Sequence, residues 1–535
     1  MKGKILYLIF IVLISLSFVD CAKRGNPQGG LRDSIPPVIE RAVPENYSTN
    51  FDDEEIRIYF DEYIKLKDLQ QQLIISPPME NAPIITPFST SKYIKIVFTD
   101  TLKENTTYSI NFGNSIVDNN EENPFEFYKY VFSTGNYIDS LKVLGTVSDA
   151  LKPLPEEAVT VMLYEVDENY TDSVIYNKKP YYVSSTLRSP EFFSIENLKP
   201  GKYLLIGLKD NNNNYNFDPK IDKIGFVDEF IDIPTDTTFH LNLFKEIPEF
   251  TMARPSLQNS QKILFGYEGK GDSIKIELLS QAPPDFEYRI TKDTKSDSLY
   301  YWFKPGIESD SLLFKVRNNT YSDTLDVRMQ DKKVDSLTIS AVKTGTIAFD
   351  QTLELTANNP IVSVEKERME LMNKDSLFVD FQLRLDERSN ILSVDFEKTE
   401  REVYTLTLFP EALEDFFGQV NDTLSFKVNT RTTADYGFLS FNIEKAKSYP
   451  LIVQLVTEGG VVTKEMYAKE EQTVFEFENI NPANYNVRVI YDTNENGKWD
   501  TGDFLERRQP EEVIYFPKLL DIRANWTLNE TFILE

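Results

Sequence analysis

At 535 residues and 61.9 kDa the chain is too long for one core, and with 41% hydrophobic and 13% aromatic residues it can fill several. Its 57 basic and 85 acidic residues leave a net charge of −28, so no nucleic acid is expected as a partner, because phosphates would be repelled. With one histidine, His240, and one cysteine, Cys21, neither a Cys–His pair, a Ser–His–Asp triad nor a His/Cys zinc site is expected, and the chain reads as a non-enzyme.

Residues 1–20 read as a signal peptide. Lys2 and Lys4 form a short basic region, and an uncharged, mostly apolar run follows from Ile5 to Val19. That run is short of the roughly 20 residues a membrane-spanning helix needs. Cys21 stands where the run stops, and the junction resembles that of bacterial lipoproteins, in which the cysteine after the signal carries the lipid. Asp20 departs from the small residue usual there. The resemblance implies an N-terminal lipid on Cys21 and attachment to a membrane through it, which two or more acyl chains make stable. Residues 21–35, "CAKRGNPQGGLRDSI", are polar and rich in Gly and Pro, as a flexible tether would be.

Residues 36–137 open with "PPVIERAVPEN" and continue with "EIRIYFDEYI", which alternates as a strand does. The Pro-Pro opening, the Pro-x-Asn turn and the Phe-Asp-Glu strand resemble the bacterial Ig-like domains of envelope proteins. "LKDLQQQLII", near Leu66, is the best helix candidate. Residues 338–432 resemble a degenerate second Ig-like domain without the Pro-Pro opening: "YTLTLFPEALEDFFGQVNDTLSFKVNT" from Tyr404 echoes "YSINFGNSIVDNNEENPFEFYKYVFSTG" from Tyr108.

A clearer echo pairs "FSIENLKPGKYLLIGLKDNNNN" from Phe193 with "FEFENINPANYNVRVIYDTNEN" from Phe475, without a gap at an offset of 282. Each copy reads as a strand, a Pro-bearing turn and a strand beginning near Tyr203 or Tyr485. Residues 138–248 and 433–535 thereby resemble the transthyretin-like or carboxypeptidase-regulatory-like β-sandwich, in which a Leu-x-Pro-Gly-x-Tyr turn links two strands; Gly201 fits that turn and Ala483 replaces its glycine. Short alternating strands between polar turns make residues 249–337 a further sandwich. The fold class expected is all-β: a tandem array of Ig-like and transthyretin-like β-sandwich domains after a lipoprotein signal peptide.

One stretch has the spacing of an ion loop. In "DTNENGKWDTGD", Asp492, Asn494, Asn496, the Lys498 carbonyl, Asp500 and Asp503 occupy positions 1, 3, 5, 7, 9 and 12, with Gly497 at position 6. Oxygen donors so spaced wrap a structural Ca2+ ion, although Asp503 stands where helix-loop-helix calcium loops carry Glu. The alternative is a hairpin loop held by Asx-turns alone. The first copy keeps Asp210, Asn212, Asn214, Asn216 and Asp218, with Tyr215 in place of Gly and Asp222 one residue late.

Asp-Ser/Thr-apolar triplets beginning at Asp33, Asp100, Asp139, Asp172, Asp272, Asp297, Asp310, Asp323, Asp335, Asp375 and Asp422 resemble the O-glycosylation signal of exported Bacteroidota proteins; each also reads as a turn before a strand. Trp302, Trp499 and Trp526 are candidates for stacking on sugars, Trp302 being placed to serve in the core instead. The whole resembles a Bacteroidota outer-membrane lipoprotein, on the cell surface or the periplasmic face. That implies a scaffold or accessory subunit with outer-membrane β-barrels, or their assembly or export machinery, as partners. The alternative is a surface protein that binds glycans or other cells.

Overall fold

The computed structural model describes residues 33–534. The signal peptide, Cys21 and most of the tether lie outside the described residues. Two compact units are present: one ends at Asp139, and the other comprises Ser140–Glu535 with Ser76–Pro78. Among the described residues no helix is long and apolar enough to cross a membrane.

The longest strand of the first unit is Glu55–Leu66. Ile56, Ile58, Phe60 and Ile64 turn inward and Arg57 and Asp61 outward, the two-residue period that a half-buried pleat demands. Ile39–Val43 and Ser91–Val97 flank it antiparallel. Thr107–Asn111 pairs with Lys129–Ser133 in a second sheet. Phe60, Ile94, Tyr108 and Phe132 are buried between the sheets, with the Tyr108 ring stacked on Phe132 at 5.3 Å. Only Leu69–Gln72 of the expected helix is helical, a single turn with no buried residue to hold it. At the end of Ile116–Asp118 the buried Asp118 carboxylate accepts the N–H groups of Asn120, Glu121, Glu122 and Asn123.

In the second unit the strands Phe192–Leu198, Leu141–Asp149 and Thr238–Leu243 form one sheet, in which the last two run parallel. A larger sheet sets Tyr182–Ser185, Thr160–Glu165, Gly201–Lys209 and Lys223–Phe226 side by side, and Ile231–Ile233 also pairs with Gly201–Lys209. The last sandwich repeats this topology strand for strand. Val474–Ile480, Gly437–Glu444 and Thr527–Ile533 form its small sheet, the last two again parallel. Val462–Ala468, Leu451–Thr457, Ala483–Tyr491 and Val513–Tyr515 form the large one.

The echo has a local cause. Asn197 and Asn479 both stand in the left-handed region, at φ 62° and 53°, a conformation that Asn tolerates better than most residues. The Tyr203 hydroxyl donates to the Lys199 carbonyl at 3.2 Å, and the Tyr485 hydroxyl to that of Asn481 at 2.9 Å.

Between these copies lie two further sandwiches. In one, Lys262–Glu268 and Ser298–Lys304 face Ser311–Asn318 over Phe265, Tyr301 and Phe314. In the next, Leu353–Ala357 and Ile391–Phe396 face Val403–Leu408 and Leu424–Asn429. This one shares details with the first unit. The Tyr108 hydroxyl accepts the N–H of Lys103, and the Tyr404 hydroxyl that of Thr399, each five residues upstream. The Thr134 and Thr430 hydroxyls accept the N–H groups of Thr106 and Glu402, each 28 residues upstream.

Candidate functional site: the Asp/Asn loop and the junction it carries

The loop after Ala483–Tyr491 is organised by its first residue. The Asp492 carboxylate accepts the N–H groups of Asn496 at 3.1 Å and Gly497 at 2.8 Å, and Gly497 takes φ 76°, which Gly adopts at least cost. The Asn494 and Asn496 side-chain amides both donate to Asp500 Oδ2, at 2.6 and 2.5 Å. Asn494 and then Asn496 hold the Asp500 carboxyl below its usual range against partial burial. The Lys498 N–H donates to Asn496 Oδ1 at 2.8 Å. The spacing thus brings Asp492, Asn494, Asn496, Lys498 and Asp500 together. Asp503 is elsewhere: its backbone exchanges hydrogen bonds with Arg508, and its Oδ1 accepts the Glu506 N–H.

Glu511 takes the closing role, which the spacing did not suggest. It is buried, with Oε1 accepting the Thr493 N–H at 2.7 Å and Oε2 the Asp500 N–H at 3.0 Å. In the first copy Asp222 bridges the corresponding N–H groups, those of Asn211 and Asp218, at 2.9 and 3.0 Å. Asp222, the acid one residue late in the loop spacing, stands 11 residues from Asn211, whereas Glu511 stands 18 from Thr493, so the spacing points to the first closing acid and not to the second. Asp210 accepts the N–H of Tyr215, which takes the left-handed place of Gly497 at φ 61°. Among the described residues no group of three or more His, Cys, Asp and Glu side chains could hold a metal ion.

Beyond Asp500 the loop docks on the sandwich of residues 140–248. The Thr501 hydroxyl donates to the Lys245 carbonyl at 2.6 Å, and the Phe504 N–H to Glu246 Oε1 at 2.5 Å. The Gln509 side-chain amide donates through Nε2 to the Phe226 carbonyl at 3.0 Å and to Asp228 Oδ1 at 2.7 Å. Arg507 pairs with Asp172, and the Tyr515 hydroxyl donates to the Leu151 carbonyl at 2.5 Å. The fully buried Phe504 ring meets Phe226 edge-on at 5.3 Å. A Cβ on Gly502 would lie 2.5 Å from the Phe244 ring, so only Gly fits there. Burial lifts the Glu246 carboxyl to about 7; the Phe504 N–H and Arg508 oppose the rise and Asp503 adds to it.

His240 is partnered on both nitrogens, by Thr146 Oγ1 at 2.8 Å and Ser148 Oγ at 3.0 Å. Ser148 donates to Asn242, so Nε2 must donate to Ser148, and Nδ1 accepts from Thr146. Burial holds the ring below its ordinary pKa. This arrangement fixes a strand pair, as expected of a structural histidine. Trp302 is buried with its N–H on Thr291, Trp499 is half-buried with its N–H on the Glu511 carbonyl, and Trp526 is exposed. Ser298, in the Asp297 triplet, is buried and closed to modification.

The chain is an all-β protein built of β-sandwiches. Residues 33–134 match the family described as bacterial Ig-like domain. No curated protein matches the chain. Among solved structures, the S-layer protein rSbsC(31-844) aligns at 12% identity over 91% of this chain and 67% of its own, with a TM-score of 0.17. The tandem Ig repeats of Dlar align at 13% identity over 34% of this chain and 98% of theirs, with a TM-score of 0.14. Titin domains I67–I69 align at 9% over 52% and 98%, with a TM-score of 0.12.

Proposed function

We propose that the protein is a non-enzymatic, lipid-anchored cell-envelope scaffold, an accessory subunit of an outer-membrane complex held to the membrane through Cys21. The observation that carries this reading is the junction of residues 501–515 with the sandwich of residues 140–248, which ties the ends of a four-sandwich unit together. A unit closed in this way keeps its faces at fixed spacing, which suits docking of several partners. Affinity purification of the tagged protein from gently solubilised outer membranes tests it. Recovery of a β-barrel, assembly or export component near one-to-one is the expected result. Recovery of the protein alone overturns the reading and turns attention to glycan or cell binding, with Trp526 as the first residue to replace.

The same loop is our proposed site for a structural Ca2+ ion. Asp492 and Asp500 supply charge, and half-turns of the Asn494 and Asn496 amides would present their oxygens beside Asp500. Asp503 contributes nothing where it stands. A bound ion would stiffen the loop from which the docking segment leaves. The expected result is a Ca2+-dependent rise in unfolding temperature, absent from Asp500→Asn; equal shifts in both proteins would remove the site.

A further inference from the structure

We infer that the edge strand Glu287–Lys292 is a docking site for an extended acidic peptide segment of a partner protein, received by strand addition. The strand pairs on one side only, with Ser298–Lys304. Its last outward N–H, that of Lys292, donates to the Arg388 carbonyl at 2.6 Å. Hydrogen bonding alternates along an antiparallel edge, so the N–H and C=O groups of Tyr288 and Ile290 also point outward. Among the described residues no backbone partner meets them.

Two grooves flank this edge. One, of about 340 Å³, opens between it and Lys275–Leu278, the edge strand of the opposite sheet; Ile276, Tyr288 and Ile290 line it with Lys275, Lys315 and Arg317 against Glu277. The other, of about 440 Å³, lies between the edge and the next sandwich; Pro360 and Val362 line it with Arg289 and Arg388 against Glu387. A strand laid along the edge sends alternate side chains to its two faces, one set toward each groove. Five cations against two carboxylates line the grooves of a chain with net charge −28, and this reversal of sign selects an acidic occupant. Tyr288, stacked on the buried Tyr301 at 5.1 Å, is a fixed aromatic shelf between them.

The inference rests on the scaffold reading only in taking the partner to be a protein. The test is fluorescence anisotropy of the full chain with a short labelled Glu/Val peptide, and with the same peptide carrying Lys for Glu. The Glu/Val peptide is expected to bind at least about tenfold tighter, and Arg388→Glu and Lys315→Glu each to weaken it roughly fivefold or more. Tyr288→Pro removes an outward N–H without breaking a bond to Ser298–Lys304, so it is expected to weaken binding more than Tyr288→Ala does. Hydrogen exchange on the unaltered chain gives a second reading: the Tyr288 and Ile290 amides become protected when the Glu/Val peptide is added. Equal affinity for the two peptides, or unprotected amides at saturation, overturns the proposal. If membrane purification recovers no partner while the Glu/Val peptide binds as described, the scaffold reading fails and the edge site stands.

Discussion

The Glu246 carboxyl is lifted to about 7 by burial, whereas the free side chain titrates near 4.5. Between those values the folded protein holds a proton that the unfolded chain has released. The stability this group contributes is full below pH 4.5 and is lost as pH rises through 7, a change of about 3 kcal/mol. Glu246→Gln keeps an acceptor for the Phe504 N–H but cannot titrate, so denaturant unfolding between pH 4.5 and 7 should show a flatter stability profile for the second unit. Asp118 lies on the other side of the same physics. Burial alone would raise its carboxyl, but the N–H groups of Asn123, Glu121, Asn120 and Glu122 outweigh it and hold the carboxyl below its usual range. Asp118→Ala strands those N–H groups and should cost the first unit about 2–3 kcal/mol in equilibrium unfolding. Asp118 stands in an acidic, turn-rich stretch and Glu246 near Glu249 just past a strand, and composition singles out neither carboxylate.

Elements defined by local chemistry were legible in advance. Strand alternation marks Glu55–Leu66, and the Asn-x-x-Pro turn with its tyrosine marks both copies of the repeat, because the left-handed Asn and the Tyr bond span only a few residues. The helix candidate near Leu66 forms a single turn, Leu69–Gln72, since a few helix formers in a row cannot outweigh the strand partners on either side. The docking segment was not legible at all. Gln509 and Phe226 are 283 residues apart, and no periodic pattern points from one to the other. Its apolar anchor should dominate its energetics. Phe504→Ala should destabilise the second unit by about 3–5 kcal/mol in denaturant melts, whereas Arg507→Ala, which breaks a partly exposed pair with Asp172, should remove less than about 1 kcal/mol of pairing energy.

At the scale of the molecule, the sandwiches from Ser140 onward each have their own apolar core, yet they cluster as one unit. Coupling through residues 501–515 should therefore merge their unfolding. Calorimetry of the intact chain is expected to show fewer transitions than sandwiches, and Phe504→Ala is expected to separate a transition of residues 140–248 from the rest. The tie has a further consequence during synthesis. The sandwich of residues 140–248 leaves the ribosome early, but Phe226 and Phe244 gain their cover only when Phe504 and Gly502 arrive. Until then a nascent chain carries an apolar patch and an unbonded Glu246 at that face, a surface that chaperones hold and proteases find. A polypeptide halted before Phe504 is thus marked as unfinished by its own second sandwich, and only completed chains hide the mark.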